Sequence, residues 1–325
     1  MKLRNLDLTG NPVNEEHRQL GIPPIEEAVS STGTHPSLHA AVWFTAFVLV
    51  ALVLYLMGRL FVSNSWTGGL HVISETLGSS VFWNAVMVGL FAQVVDGALG
   101  MAYGATATTF LLAAGASPAA ASASVHIAEI FTTGVSGVSH AKFGNVDRRL
   151  FARLLVPGVL GAILGAVLVT YVDGAVFKPL MCVYLLVLGA YILSKALRGL
   201  RLRMREPRHV GKLALFGGFV DAAGGGGWGP VVTTTLVGSG SDPRTTIGSV
   251  NFAEFFLTLT SAATFALLVE TNAWPIIAGL VAGGLFAAPF AALLCRKLSA
   301  RTLLLMVGTL ISALSAYNLY RALAV

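Results

Sequence analysis

Charge is what this chain has least of. Only 11% of its 325 residues are Asp, Glu, Lys or Arg while 55% are hydrophobic, and carboxylates (15) are fewer than cations (21). About a quarter of the residues of a soluble domain are charged, so a water-facing globule is excluded. Cysteine is nearly missing too. Cys182 and Cys295 both lie in apolar runs, which rules out a disulfide framework and reads both as small hydrophobes. No nucleophile–base constellation and no cofactor motif is present, so neither an enzyme nor a bound cofactor is expected. The net charge of +6 does not point to nucleic acid, because the basic residues sit between apolar segments.

What is there is uninterrupted hydrophobicity. The runs 40–62, 154–172, 179–197, 275–295 and 302–323 are each long enough to cross roughly 30 Å of hydrocarbon at about 1.5 Å per residue. The fold class expected is an all-α polytopic membrane protein. The first run follows a polar stretch and lacks a small-residue cleavage site, so it reads as an anchor and not a cleaved signal.

Basic loops stay cytoplasmic. Three connections are rich in Lys and Arg, at 142–153, 195–212 and 296–301; those at 63–80, 173–178 and 270–274 are poor in them and are placed outside. The N-terminus then lies inside.

The chain repeats itself. At a constant offset of 125, Asp96 aligns with Asp221, Gly100 with Gly225, Tyr103-Gly104 with Trp228-Gly229, Thr108-Thr109 with Thr233-Thr234, Pro118 with Pro243, Ser124 with Ser249 and Glu129 with Glu254. This is an internal duplication. On the charge map one copy enters from outside and the other from inside, which makes it an inverted-topology repeat of the kind that builds secondary transporters.

Each copy must cross an odd number of times. Segments 81–95 and 104–114, like 213–220 and 230–237, read as half-helices of two re-entrant helical hairpins, each followed by a full crossing at 119–140 or 246–269. Seven crossings and two hairpins follow. The expected organisation is a polar cytoplasmic tail (1–37), an additional helix (38–62), repeat 1 (80–197), a basic cytoplasmic loop (198–212) and repeat 2 (213–325).

The hairpin tips, "GALGMAYG" and "AAGGGGWG", are the candidate substrate site. Glycine admits a ligand to the backbone, and half-helix N-termini favour an anion. The expected substrate residues are Gly100, Tyr103, Gly104, Thr106 and Thr108 on one tip, and Gly225, Gly226, Gly227, Trp228, Gly229 and Thr233 on the other. The aligned pairs Ser124 and Ser249, and His126 and Asn251, complete the set. Asp96, Glu129, Asp221 and Glu254 are costly inside a bilayer and are candidates for proton coupling, with His126 one helical turn before Glu129. Capping of half-helices by Asp96 and Asp221 is the structural alternative. A divalent-cation carrier that uses the four carboxylates as ligands is the functional one.

The stretches "GALGMAYGATATTFLLAAGASPAAASASV" and "AAGGGGWGPVVTTTLVGSGSDPRTTIGSV", with "HAKFGNVD" closing the first, resemble the sulfite exporter TauE/SafE family over about residues 80–325. The resemblance implies a secondary transporter in a bacterial-type cytoplasmic membrane. It would move a small sulfur-containing oxyanion, such as sulfite or an organosulfonate, outward; membrane lipid and, from the buried carboxylates, protons are the further partners expected. Copy two keeps the glycine run usual in the family; copy one departs from it with Met101 and Ala102, which makes the tips chemically unequal.

Overall fold

The computed structural model describes residues 36–61, 65–99, 101–198, 209–239, 241–269, 273–294 and 300–324. The polar tail before residue 36, Gly100, the stretch 199–208 of the basic loop, Cys295 and Arg296 lie outside the described residues. By contact the chain divides into a unit ending at Phe44 and a second from Thr45 to Val325. In the described part of the first, His39 and Trp43 pack edge to face at the start of helix α1 (Pro36–Phe61).

All regular elements among the described residues are helical. After α1 come α2 (Ser65–Gly78), α3 (Ser80–Leu99), α4 (Tyr103–Ala113), α5 (Pro118–Lys142), α6 (Arg148–Tyr171), α7 (Gly174–Arg198) and α8 (Val210–Gly224). A π-helical turn (Gly229–Thr233) then leads into α9 (Thr234–Gly238), α10 (Pro243–Leu268), α11 (Trp274–Leu294) and α12 (Ala300–Leu323). Local signals set the starts of the long helices. Ser117 and Asp242 cap α5 and α10 through the N–H groups of Ala120 (3.2 Å) and Thr245 (2.8 Å), each with Pro next. Asp147 caps α6 through Leu150 N–H at 2.6 Å. A capping side chain followed by Pro uses the one helical position that needs no donor.

Helices α1, α6, α7 and α10 are long and apolar enough to cross a membrane. Helix α5 has the length, 25 residues, but buries Ser122, Ser124, His126, Glu129, Thr132 and Thr133, so its polarity faces the bundle. Two expectations change here. The first hairpin arm, read as ending near Val95, runs 20 residues to Leu99, because the Asp96 carboxylate serves the N–H of Tyr103 beyond the helix and does not end its own. The outer connection at 63–80 holds a helix, α2, bent 69° from α3. Its Trp66, Leu70, Val72 and Leu77 are exposed, as suits a helix lying in a membrane interface.

The duplication extends from α3 to α12. Helices α5 and α10 begin at Pro118 and Pro243, α3 and α8 end at Leu99 and Gly224, and α4 and α9 end at Ala113 and Gly238, each pair 125 apart. Helices α6 and α11 begin at Arg148 and Trp274, and α7 and α12 at Gly174 and Ala300, each 126 apart.

Side-chain register gives the relative direction of the copies. Along α5 and α10, Thr133 meets Thr258 with hydroxyl oxygens 3.4 Å apart, Gly134 faces Phe255, Ser136 accepts from Asn251 at 3.3 Å and Gly137 faces Phe252. Numbers rise on one helix as they fall on the other. In α7 and α12, Gly189 lies on Ser312 and Leu193 on Gly308, again antiparallel. Equivalent helices of the two copies therefore run in opposite directions, and the repeat is inverted. The Thr133–Thr258 contact joins two residues of identical repeat position, so it sits on the pseudo-two-fold axis.

Two further pairs bind the copies crosswise. Gly161 and Gly165 of α6 seat on the carbonyls of Leu215 and Phe219 in α8, while Gly279 and Gly283 of α11 seat on those of Phe82 and Val86 in α3. An added Cβ at any of the four would overlap a backbone oxygen. Small residues four apart let helices approach this closely.

Candidate substrate site

The tips of both copies meet at the centre. Gly104, in the first turn of α4, packs on Gly226 of the α8–π-turn connection; a Cβ on Gly104 would come within 2.8 Å of Gly226 Cα and 2.9 Å of Glu129 Oε1. Gly225 and Gly226 hold φ of 67° and 144°, backbone that disfavours any side chain. At the matching bend of copy one, Ala102 holds φ 84°. Residues 102–109 and 221–230 are all buried. The space between the tips is filled by backbone-to-backbone contact, since without side chains the two glycines close on each other.

Each bend is held by the carboxylate before it. Asp221 Oδ1 accepts the Trp228 N–H at 2.9 Å, and Asp96 likewise accepts the backbone N–H of Tyr103. Both Asp residues thus cap the following helix from the last turns of the preceding one. The aromatic partners also work structurally. Trp228 Nε1 donates to Val250 O at 3.1 Å with its ring against Gly158 and Gly217, and Tyr103 Oη donates to Leu280 O at 3.1 Å. Gly229 opens the π-helical turn, and Gly227 lies against Tyr184 Oη.

The hydroxyls divide into spent and spare. Thr108 donates across the tip contact to Gly225 O, and Thr109 and Thr234 donate to the carbonyls of Ala105 and Pro230 four residues back. Thr106 and Thr233 are 1% exposed, and neither hydroxyl has a partner. Glu129 Oε2 and Asn251 Oδ1 are also buried without one. Ser249 lies elsewhere: its hydroxyl accepts Asp147 N–H at 2.8 Å and donates to Thr245 O at 2.7 Å, joining the α5–α6 connection to α10. Ser124 is buried in α5. Of the expected substrate residues, the structure therefore gathers Gly104, Thr108, Gly225 and Gly226 at the contact, and gives Ser249, Tyr103 and Trp228 other partners.

His126 is fully buried and reaches the other copy. Its Nε2 lies 3.3 Å from Asp221 Oδ2 and its Nδ1 2.8 Å from Ser122 O. Its expected partner, Glu129, is one turn along the same helix, whereas the contact is to Asp221. Glu129 interacts electrostatically with Asp96 and Asp221, and Glu254 with all three other carboxylates. Even so, no group of three or more His, Cys, Asp or Glu among the described residues converges to hold a metal ion, which leaves the cation reading without a built site.

Two neighbours of the tips were not foreseen. Tyr184 of α7 donates to Gly226 O at 2.9 Å with its ring against Gly224, and it lines an apolar hollow of about 210 Å³ with Leu168, Phe177 and Phe219. Asn318 of α12 donates to Thr109 O at 3.0 Å. Their only sequence signal is polarity in mid-run; neither belongs to an aligned pair.

A bundle of inverted repeats with touching glycine tips is transporter architecture, and comparison with known proteins agrees. The family model described as "Sulfite exporter TauE/SafE" matches residues 85–318. The chain belongs to the sulfite exporter TauE/SafE family. It is 43% identical over 242 residues to the "Probable membrane transporter protein YtnM" of Bacillus subtilis (strain 168), a match that covers 71% of this chain and 80% of that one. No solved structure matches. As a TauE/SafE member the chain is an integral membrane transporter and not an enzyme.

Proposed function

We propose that this TauE/SafE protein is a secondary transporter that exports a small sulfur oxyanion, such as sulfite or an organosulfonate, through the contact between its two glycine tips. The observation that carries the reading is Gly104 packed on Gly226 with the spare hydroxyls of Thr106 and Thr233 close in sequence. Separation of the tips would free glycine backbone and two unpaired donors for one small anion. Substrate then replaces the tip-to-tip contact.

Helix directions support the re-entrant hairpins. Helix α3 runs parallel to α11 and α5 antiparallel to α10; the 269–273 connection is short enough to send α11 straight back. Then α3 and α5 point the same way and the 11-residue α4 returns between them. The N-terminus on the cytoplasmic side follows from the distribution of Lys and Arg.

Purified protein in proteoliposomes should carry sulfite or alkylsulfonate down its gradient. Thr106→Val and Thr233→Val should each lower that flux by about tenfold, the value of one lost hydrogen bond to a charged group. Manganese or nickel flux that ignores sulfur anions would replace this reading with the cation carrier.

A further inference from the structure

Asp221 and His126 are tied by a hydrogen-bond chain whose donors can be counted. The Ser122 hydroxyl donates to Ala222 O at 2.6 Å, which spends its only proton. The Ser122 carbonyl can only accept, so His126 Nδ1, 2.8 Å away, carries a hydrogen. Nε2 then faces Asp221 Oδ2 at 3.3 Å. Two bare lone pairs would repel there, so one proton lies between them, on nitrogen or on oxygen.

We infer that the proton shared by His126 and Asp221 is the coupling proton of the transporter, one per chain, and that its loss releases the second glycine tip. This rests on the transporter reading above and names its coupling ion and residues. The geometry links proton to tip at both carboxylate oxygens. Oδ2 holds the shared proton, while Oδ1 holds the Trp228 N–H at the start of the π-helical turn. When the proton leaves, the Asp221 carboxylate faces a bare Nε2, and the contact from α5 to α8 turns repulsive. Helix α8 and its tip then lose that tie to α5, and the bonds that remain, Ser122 to Ala222 O and Thr108 to Gly225 O, give way to substrate.

The titratable groups that act on the pair are acids. Glu129 on α5, Glu254 on α10 and Tyr184 on α7 act electrostatically on Asp221, Phe265 of α10 lies 5.9 Å from the His126 ring, and α6 meets α8 through Gly158, Gly161 and Gly165. Copy one lacks the device. Asp96 keeps its backbone cap from Tyr103, but the position of His126 is taken by Asn251, whose Nδ2 donates to Ser136 at 3.3 Å and which cannot titrate. The two tips are therefore unequal in proton chemistry as well as in glycine content.

The test uses the intact protein and methanesulfonate, a monovalent anion at every working pH, so that any proton counted belongs to the protein. With one proton per anion, a gradient of one pH unit sustains about a tenfold concentration ratio across the proteoliposome membrane. Wild type should reach it. His126→Asn should fall to about unity, with its accumulation normalised to its own methanesulfonate exchange. An unchanged normalised ratio in His126→Asn overturns the inference.

Ring ¹⁵N spectra in detergent read the site without transport, the His126 signal among seven histidines being the one missing from His126→Asn. Wild type should show Nδ1 protonated and Nε2 sharing a proton. In Asp221→Asn that second proton should be gone, because an amide can donate in its place. A bare Nε2 in the wild type also overturns the inference. If wild type moves no sulfur oxyanion, the three spectra decide the proton site on their own; if His126→Asn does not fold, His126→Gln supplies the assignment.

Discussion

A methyl group is the smallest side chain, and at Gly226 it is already too much. The residue holds φ 144°, and its Cβ would run into the backbone of Gly104 and Ala105. Gly226→Ala should cost about 2 kcal/mol or more from strain and overlap, lower the thermal midpoint by roughly 4 °C or more and stop transport. The hydroxyls permit a sharper comparison. Thr108→Val removes a buried bond to Gly225 O and should destabilise by about 1–3 kcal/mol, because it leaves that carbonyl unpaired. Thr233→Val deletes a hydroxyl that has no partner, so the melting curve should hold or rise while flux falls. Equal melting losses in the two variants would mean that Thr233 is structural.

At the scale of elements, opposed direction is the property to test. Thr133 with Thr258, and Ser136 with Asn251, face each other across α5 and α10. Paired cysteines at both sets, in a background without Cys182 and Cys295, should be bridged by mercury; parallel copies would allow one pair at most. Much of this was legible in the sequence. The gapless alignment at 125 located both tips, and the Lys and Arg distribution implied opposite senses. What was hidden depends on contacts between copies. Nothing local tells that His126 reaches Asp221 in preference to Glu129, or that Tyr184 holds a carbonyl of the other repeat's tip. Helix α2 was hidden for a different reason: its stretch "SWTGGLHVISETLG" has the small and polar residues of a loop, and its helix pairs with an interface that the alignment does not see. The length of α3 escaped because Asp96 looked like a terminus, whereas it caps the next helix from inside its own.

For the molecule as a whole, sidedness follows from the basic loops. Phe143, 72% exposed between α5 and α6, and Ala175, exposed at the start of α7, stand at opposite ends of the membrane-length α6. Phe143→Cys should react with an impermeant maleimide only from the cytoplasm, Ala175→Cys only from outside; the reverse pattern would invert the topology. The crosswise seating of α8 on α6 and α3 on α11 has a consequence for how the chain comes into being. Each half donates an arm that only the other half can shelter, so a polypeptide severed between Arg198 and His209 should yield two fragments that are degraded when made separately and accumulate when made together.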